Sequence, residues 1–227
     1  MKSPLSFANG LILAALLTVG LDAHALVDFG DAPDSYQTTL GSGGAYHTIL
    51  DENQNKLFLG TSVDGETDGL PTALADGDDT NSGDDEDGIA FTSPLVVGQT
   101  ATLDATVTAA GVYQPFLNAW MDFNGDGDWG DPGDQILLDV VVNNVQGTIV
   151  SSLAFSIPAD AAVGPTYARF RLDSVGGLFA DGNGEIGEVE DYLVTISAPV
   201  PAPVPLALMG LGLAGIGYQR RKQINAA

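Results

Sequence analysis

Apolar and polar residues alternate with a period of two along much of the second half of the chain. In the run from Tyr167 to Asp173, Ala168, Phe170 and Leu172 alternate with Arg169 and Arg171. This reads as a strand with one apolar face and one wet, charged face. Similar β-branched or aromatic runs, bounded by Gly, Pro, Asp and Asn, fall at 99–108, 116–123, 135–142, 147–157 and 192–196. No helix-period pattern of any length interrupts them. Short strands with turn-rich joints predict an all-β fold: an antiparallel β-sandwich with long acidic Gly/Asp-rich loops. Residues 26–88 carry weaker strand signals and read as long loops with a few short strands.

The two ends follow other patterns. Residues 1–25 combine a positive Lys2, an apolar run at 11–19 and Ala23-His24-Ala25, an A-x-A cleavage site. That is the pattern of a Sec-type signal peptide, with a helical apolar segment too short for an anchor. Residues 198–227 begin with a Pro-rich linker, continue through an apolar, transmembrane-like helical stretch at 206–218 and end in Arg220-Arg221-Lys222. The basic cluster keeps the tail's end cytoplasmic and the domain outside. The order Val200-Pro201-Ala202-Pro203, apolar stretch, Arg220-Arg221 resembles the PEP-CTERM sorting tail, although Ala202 stands where that family usually carries Glu. The resemblance implies a Gram-negative host, an exosortase-like processing enzyme besides signal peptidase, and a membrane contact that is only transient. A permanent single-pass anchor is the alternative. Three segments result: signal peptide 1–25, β-sandwich domain 26–197 and sorting tail 198–227.

Charge changes the picture of the middle segment. The net charge is −23, and of the seven basic residues only Lys56, Arg169 and Arg171 lie between the two ends. Of the 30 acids, every one except Asp22 lies there. Such a domain repels itself unless salt or bound cations screen it. It is also excluded as a nucleic-acid binder, which needs Lys and Arg against phosphate. The chain has no cysteine, so disulfides and thiolate zinc sites are excluded. A metal ion is a standard substitute staple.

Several pieces stand in a recognisable order. They are Asp28-Phe29-Gly30-Asp31-Ala32-Pro33, Gly44-Ala45-Tyr46-His47, Gly60-Thr61-Ser62-Val63-Asp64-Gly65, Asp84-Asp85-Glu86-Asp87-Gly88, Trp120-Met121-Asp122-Phe123-Asn124-Gly125-Asp126, Ala168-Arg169-Phe170-Arg171 and Gly187-Glu188-Val189-Glu190-Asp191. The ordered set resembles the GEVED domain of bacterial secreted and surface proteins, over nearly all of residues 26–196. The resemblance implies an extracellular β-rich module, commonly attached to adhesive or matrix proteins, with no known catalytic activity.

The sharpest local chemistry is Asp122-Phe123-Asn124-Gly125-Asp126-Gly127-Asp128, which matches the opening of an EF-hand calcium loop. Alternate oxygen-bearing residues in a tight loop can all aim at one hard cation. The match breaks at the twelfth position, which is Gly133, and a strand precedes the loop where an EF-hand has a helix. The loop therefore reads as a calcium-binding turn between strands, with Asp122, Asn124, Asp126 and Asp128 closed by Asp134. A solvated Asx/Gly turn is the bland alternative. Two further acidic patches are candidates for a shared ion: Asp85 with Asp87, and Glu188, Glu190 and Asp191 at the start of the last strand. Arg169 and Arg171 offer these carboxylates another partner.

Enzyme chemistry is not expected. The acids fall in Gly-rich turns that read as wet, whereas a catalytic acid needs a shielded pocket, and His47 is the domain's single histidine. A carbohydrate-binding module of an exopolysaccharide matrix is the alternative to a structural or adhesive surface role. It would use aromatic residues near the loop, with Trp129 the better candidate for exposure and Trp120 packed on the sheet. An acidic hydrolase is a distant third.

Overall fold

The computed structural model describes residues 26–52, 55–77, 85–111, 114–142 and 147–200. Ala23 and Ala25 lie outside these, as do Asp84, Pro201, Pro203, Arg220 and Arg221. Among the described residues no helix is long and apolar enough to cross a membrane.

The strands in chain order are β1 Val27–Phe29, β2 Tyr46–Thr48, β3 Asp51–Glu52, β4 Asn55–Leu59, β5 Ile89–Phe91, β6 Leu95–Val96, β7 Thr100–Ala110, β8 Phe116–Met121, β9 Gln135–Val141, β10 Gly147–Ser156, β11 Gly164–Asp173 and β12 Asn183–Ser197. Two short 3-10 turns, Asp34–Tyr36 and Leu40–Ser42, separate β1 from β2. A seven-stranded sheet runs β1-β2-β12-β11-β8-β9 with β6 beside the end of β12. A five-stranded sheet runs β10-β7-β4-β3 with β5 on β7. Pairing is antiparallel except where β12 meets β2 and β6. The all-β, two-sheet arrangement is consistent with the expected β-sandwich.

The period-two pattern explains the interior. Ala101, Leu103, Ala105, Val107 and Ala109 of β7 are all buried, and their odd-numbered parity faces the other sheet. They meet Leu117, Ala119 and Met121 of β8, Ala168, Phe170 and Leu172 of β11, and Val194 and Ile196 of β12. Each large aliphatic or aromatic side chain so buried contributes about 1.5–3 kcal/mol. Phe91, Phe170 and Tyr192 pack edge to face in this layer, with Phe170 and Tyr192 centroids 5.8 Å apart.

Two expectations need correction. The last strand is much longer than 192–196. It begins at Asn183, so Glu188, Glu190 and Asp191 lie within it, paired in register with β11 from Asp173↔Gly187 to Gly164↔Ile196. The charged face of β11 is also not wet. The segment between β1 and β2, together with the loop at 178–182, folds over the outer face of the seven-stranded sheet and leaves Arg169 and Arg171 with no exposed surface.

Candidate functional site

Strand parity divides the carboxylates and arginines of β11 and β12 between two sides of one sheet. Arg169, Arg171, Asp173 and Asp191 face outward beneath the N-terminal cover. Glu188 and Glu190 face inward, in line with Tyr192, Val194 and Ile196.

On the outer side, Arg169 and Asp191 are cross-strand partners. The guanidinium grips the carboxylate with two bonds: Nε to Oδ1 and Nη2 to Oδ2, both 2.7 Å. Its remaining N–H groups donate to the Gln37 and Ala180 carbonyls at 3.0 Å and to Thr38 Oγ1 at 3.2 Å. The Trp129 ring lies 4.4 Å from the guanidinium carbon, a stacked cation–π contact. Asp191 Oδ2 also accepts from Ala32 N–H. The pair therefore ties the N-terminal cover to the sheet.

Arg171 finds no carboxylate partner of this kind. Its Nη groups donate to the carbonyls of Phe179, Asp181 and Gly182 at 2.7, 2.7 and 2.9 Å, and its Nε donates to His47 Nε2 at 3.0 Å. Burial and the neighbouring Arg169 lower its pKa to about 9, so it remains a cation at neutral pH.

Because His47 Nε2 accepts a hydrogen bond, the ring's proton sits on Nδ1, which faces Asp173 Oδ2 at 3.2 Å. Burial, opposed by Asp173 and reinforced by Arg171, drops the His47 pKa to about 4. A second proton would have to sit on Nε2, against the Arg171 donor. The folded protein therefore resists protonation that the unfolded chain accepts near pH 6.5. Its contribution is present above that value and is lost as pH falls toward about 4. The full cost approaches about 3 kcal/mol at about 1.4 kcal/mol per unit. Melting curves between pH 7 and 4 should show His47→Gln losing less stability on acidification than the unaltered chain. Parallel curves would contradict this account.

The loop between β8 and β9 starts and ends on buried acids. Asp122 and Asp134 are buried there, and Met121 N–H donates to the Asp134 carbonyl at 2.8 Å. Asp122 Oδ1 accepts from Gly125 N–H at 2.6 Å, and Oδ2 accepts from Gly127 N–H at 3.0 Å and Tyr36 O–H at 2.7 Å. Gly127 has φ 95°, which a side chain would resist. Asn124 and Asp126 are exposed and bonded to one another at 2.9 Å, and Asp128 Oδ1 accepts from Gly130 N–H at 2.8 Å. Burial and the like charges of Asp122 and Asp131 raise the Asp134 pKa to about 6. The turn is held by Asx hydrogen bonds.

On the inner side, Glu188 Oε2 accepts from Leu59 N–H of β4, while Glu190 accepts from Gly88 N–H at 2.8 Å and Tyr192 O–H at 3.0 Å. Burial, then mutual repulsion and the charges of Asp28 and Asp85, raise the Glu188 carboxyl well above the usual range. Glu190 rises for the same leading reason. Asp85 and Glu188, expected to share an ion, do come together. Asp28 of β1 joins them, and carboxylate oxygens of the three lie within 4.8 Å of one another. Asp87 instead turns outward to bind Thr61 through both oxygens. Asp191 lies on the opposite face, as its odd parity requires.

Asp28 carries no local signal that marks it, since its partners are far away in sequence. Glu188 and Glu190 did carry one. They share the parity of Tyr192, Val194 and Ile196, so extending that strand backward places them inside. Trp129, expected to be exposed, is only 7 % exposed. It packs on Arg169 and on Tyr36, with ring centroids 4.6 Å apart in the latter case. It does border an open cleft of about 400 Å³ with Tyr36, Trp120 and the exposed Phe179.

The fold and this buried polar architecture define an all-β, two-sheet domain rich in acidic loops. A GEVED domain is found at residues 116–195, a narrower span than the motif order suggests. It takes in β8, the acidic loop, β9 to β11 and nearly all of β12. No curated protein matches the chain in sequence. Among solved structures, the chain is similar to the CARDB domain of a Pyrococcus furiosus protein in complex with di-metal ions. The identity is 11 %, over 48 % of this chain and 83 % of that one, with a TM-score of 0.26. It is also similar to the sporulation control protein Spo0M of Bacillus subtilis, at 12 % identity over 49 % of this chain and 48 % of that one, with a TM-score of 0.25. The match thus spans about half of the Spo0M chain. Scores this low establish no shared fold.

Proposed function

We propose that this protein is an exported, non-enzymatic surface or extracellular-matrix module with a structural or adhesive role, stabilised by calcium in the loop between β8 and β9. The observation that carries the reading is the burial of Asp122 and Asp134 at the base of one short loop that also carries Asn124, Asp126 and Asp128. Acids concentrated in so short a segment repel one another without a cation, and a short loop of hard oxygen donors suits calcium. The export signals read from the sequence place such a loop where calcium is millimolar. The GEVED domain supports a surface β-module.

Calcium that binds only the folded state must raise stability, by about 2.7 kcal/mol at a hundredfold excess over Kd. Melting of the chain should therefore shift upward in millimolar calcium relative to EDTA at constant ionic strength, and Asp126→Ala should remove most of the loop's share. A melting curve indifferent to calcium would defeat this reading in favour of general charge screening.

A glycan-binding reading has one observation behind it, the cleft bordered by Tyr36, Trp120, Trp129 and Phe179. It predicts a tryptophan fluorescence change on adding matrix polysaccharide. A purely structural role predicts no change.

A further inference from the structure

The layer between the sheets is apolar except at one end. There Asp28 of β1, Asp85 from the segment before β5 and Glu188 of β12 bring carboxylate oxygens within 4.8 Å of one another. Their exposures are 2, 5 and 0 %, so water does not screen them. Backbone donors reach each one: Val189 N–H bonds Asp28 at 2.6 Å, Asp64 N–H bonds Asp85 at 2.8 Å, and Leu59 N–H bonds Glu188.

Among the described residues the basic side chains are engaged elsewhere than at Glu188. Lys56 pairs with Asp51, Arg169 with Asp191, and Arg171 is spent on His47 and carbonyls across the sheet. One buried atom singles out the cluster. Glu188 Oε1 is fully buried and has no hydrogen-bond partner. Both carboxylate oxygens of neighbouring Asp64 are likewise buried without a donor. A buried acceptor left unmet is costly.

We infer that Asp28, Asp85 and Glu188, with Asp64 alongside, form a second calcium site that clasps the first strand and the segment before β5 to the last strand. The donor set decides the metal. It is all carboxylate, which suits a hard cation. Zinc prefers nitrogen and sulfur, and magnesium dehydrates reluctantly and usually keeps several waters, which an enclosed site disfavours. The residues are distinct from those of the loop, so this site stands or falls independently of the proposed loop function.

The test is calorimetric titration of the EDTA-stripped full chain with calcium alone, paired with melting curves. In Asp126→Ala one equivalent of calcium should still bind, because the inner site is intact. Adding Glu188→Gln to that variant should remove it or weaken it at least tenfold. In EDTA, Glu188→Gln should melt at or above the unaltered chain, since a repelling charge is gone, and in calcium it should melt below it. That crossing also shows that the variant folds. The proposal is overturned if Asp126→Ala binds no calcium, if Glu188→Gln leaves isotherm and melting shift unchanged, or if magnesium reproduces the calcium shift at equal concentration. If the unaltered chain and Asp126→Ala both bind a single equivalent, the loop reading fails and the inner site stands.

Discussion

Asp191→Asn should destabilise the domain by about 3–5 kcal/mol, read as a lower urea midpoint at an unchanged slope. The substitution leaves the Arg169 guanidinium buried at 0 % exposure with only neutral acceptors. Arg169→Ala should cost a similar amount, because it strands the Asp191 carboxylate and also releases the Gln37 and Ala180 carbonyls and the face of Trp129. Arg169→Lys should recover little, since an ammonium cannot make the paired contact with Asp191 and reach the carbonyls at once. The double variant Arg169→Ala with Asp191→Asn should lose less than the sum of the two singles, because neither leaves its partner's charge unpaired. Additive losses would show that the pair is not the unit that holds the cover. A domain of this size has about 5–15 kcal/mol in all, so either single change takes a large share.

Gly187→Ala should cost about 3 kcal/mol or more, by a different route. A Cβ at this position would lie 1.8 Å from the Leu172 carbonyl oxygen and 3.1 Å from Asp173 Cα. Backbone cannot swing aside as a side chain can, so β12 would have to part from β11 at its Asp173↔Gly187 pair. The neighbouring Glu188 would move with it. Gly41→Ala serves as the control. There the nearest atom is Thr39 Oγ1 at 3.8 Å, and the expected change is within about 0.5 kcal/mol. Equal effects at the two positions would refute the steric account.

Much of the sheet framework was legible in the sequence, for a physical reason. Strands such as β7 and β11 set apolar residues on one face against polar or charged residues on the other, so period two is visible in the sequence even where, as in β11, both faces end up buried. The outer layer was not legible. The stretch from Asp31 to Ala45 has no periodicity, because it covers the sheet through turns and backbone carbonyls. Arg169 and Arg171 consequently read as solvent-facing, although Asp191 with the Gln37 and Ala180 carbonyls satisfies the first, and His47 with the carbonyls of Phe179, Asp181 and Gly182 satisfies the second. The candidate sites divide in the same way. The loop from Asp122 to Asp134 is local, so spacing alone exposed it. The inner cluster joins Asp28, Asp85 and Glu188 across most of the chain. Its one readable trace was the shared parity of Glu188 and Glu190 with the apolar residues after them.

Strand β12 also has a mechanical consequence. It is flanked by β2 and β11 along its first part and by β11 and β6 at its end. Tension applied beyond Ser197 acts along the strand's own axis. It would strain the whole register with β11 at once, and the parallel contact with β6 would resist in the same direction. A module tethered at that end would yield by shearing many hydrogen bonds together, whereas one pulled across the strand would peel open bond by bond.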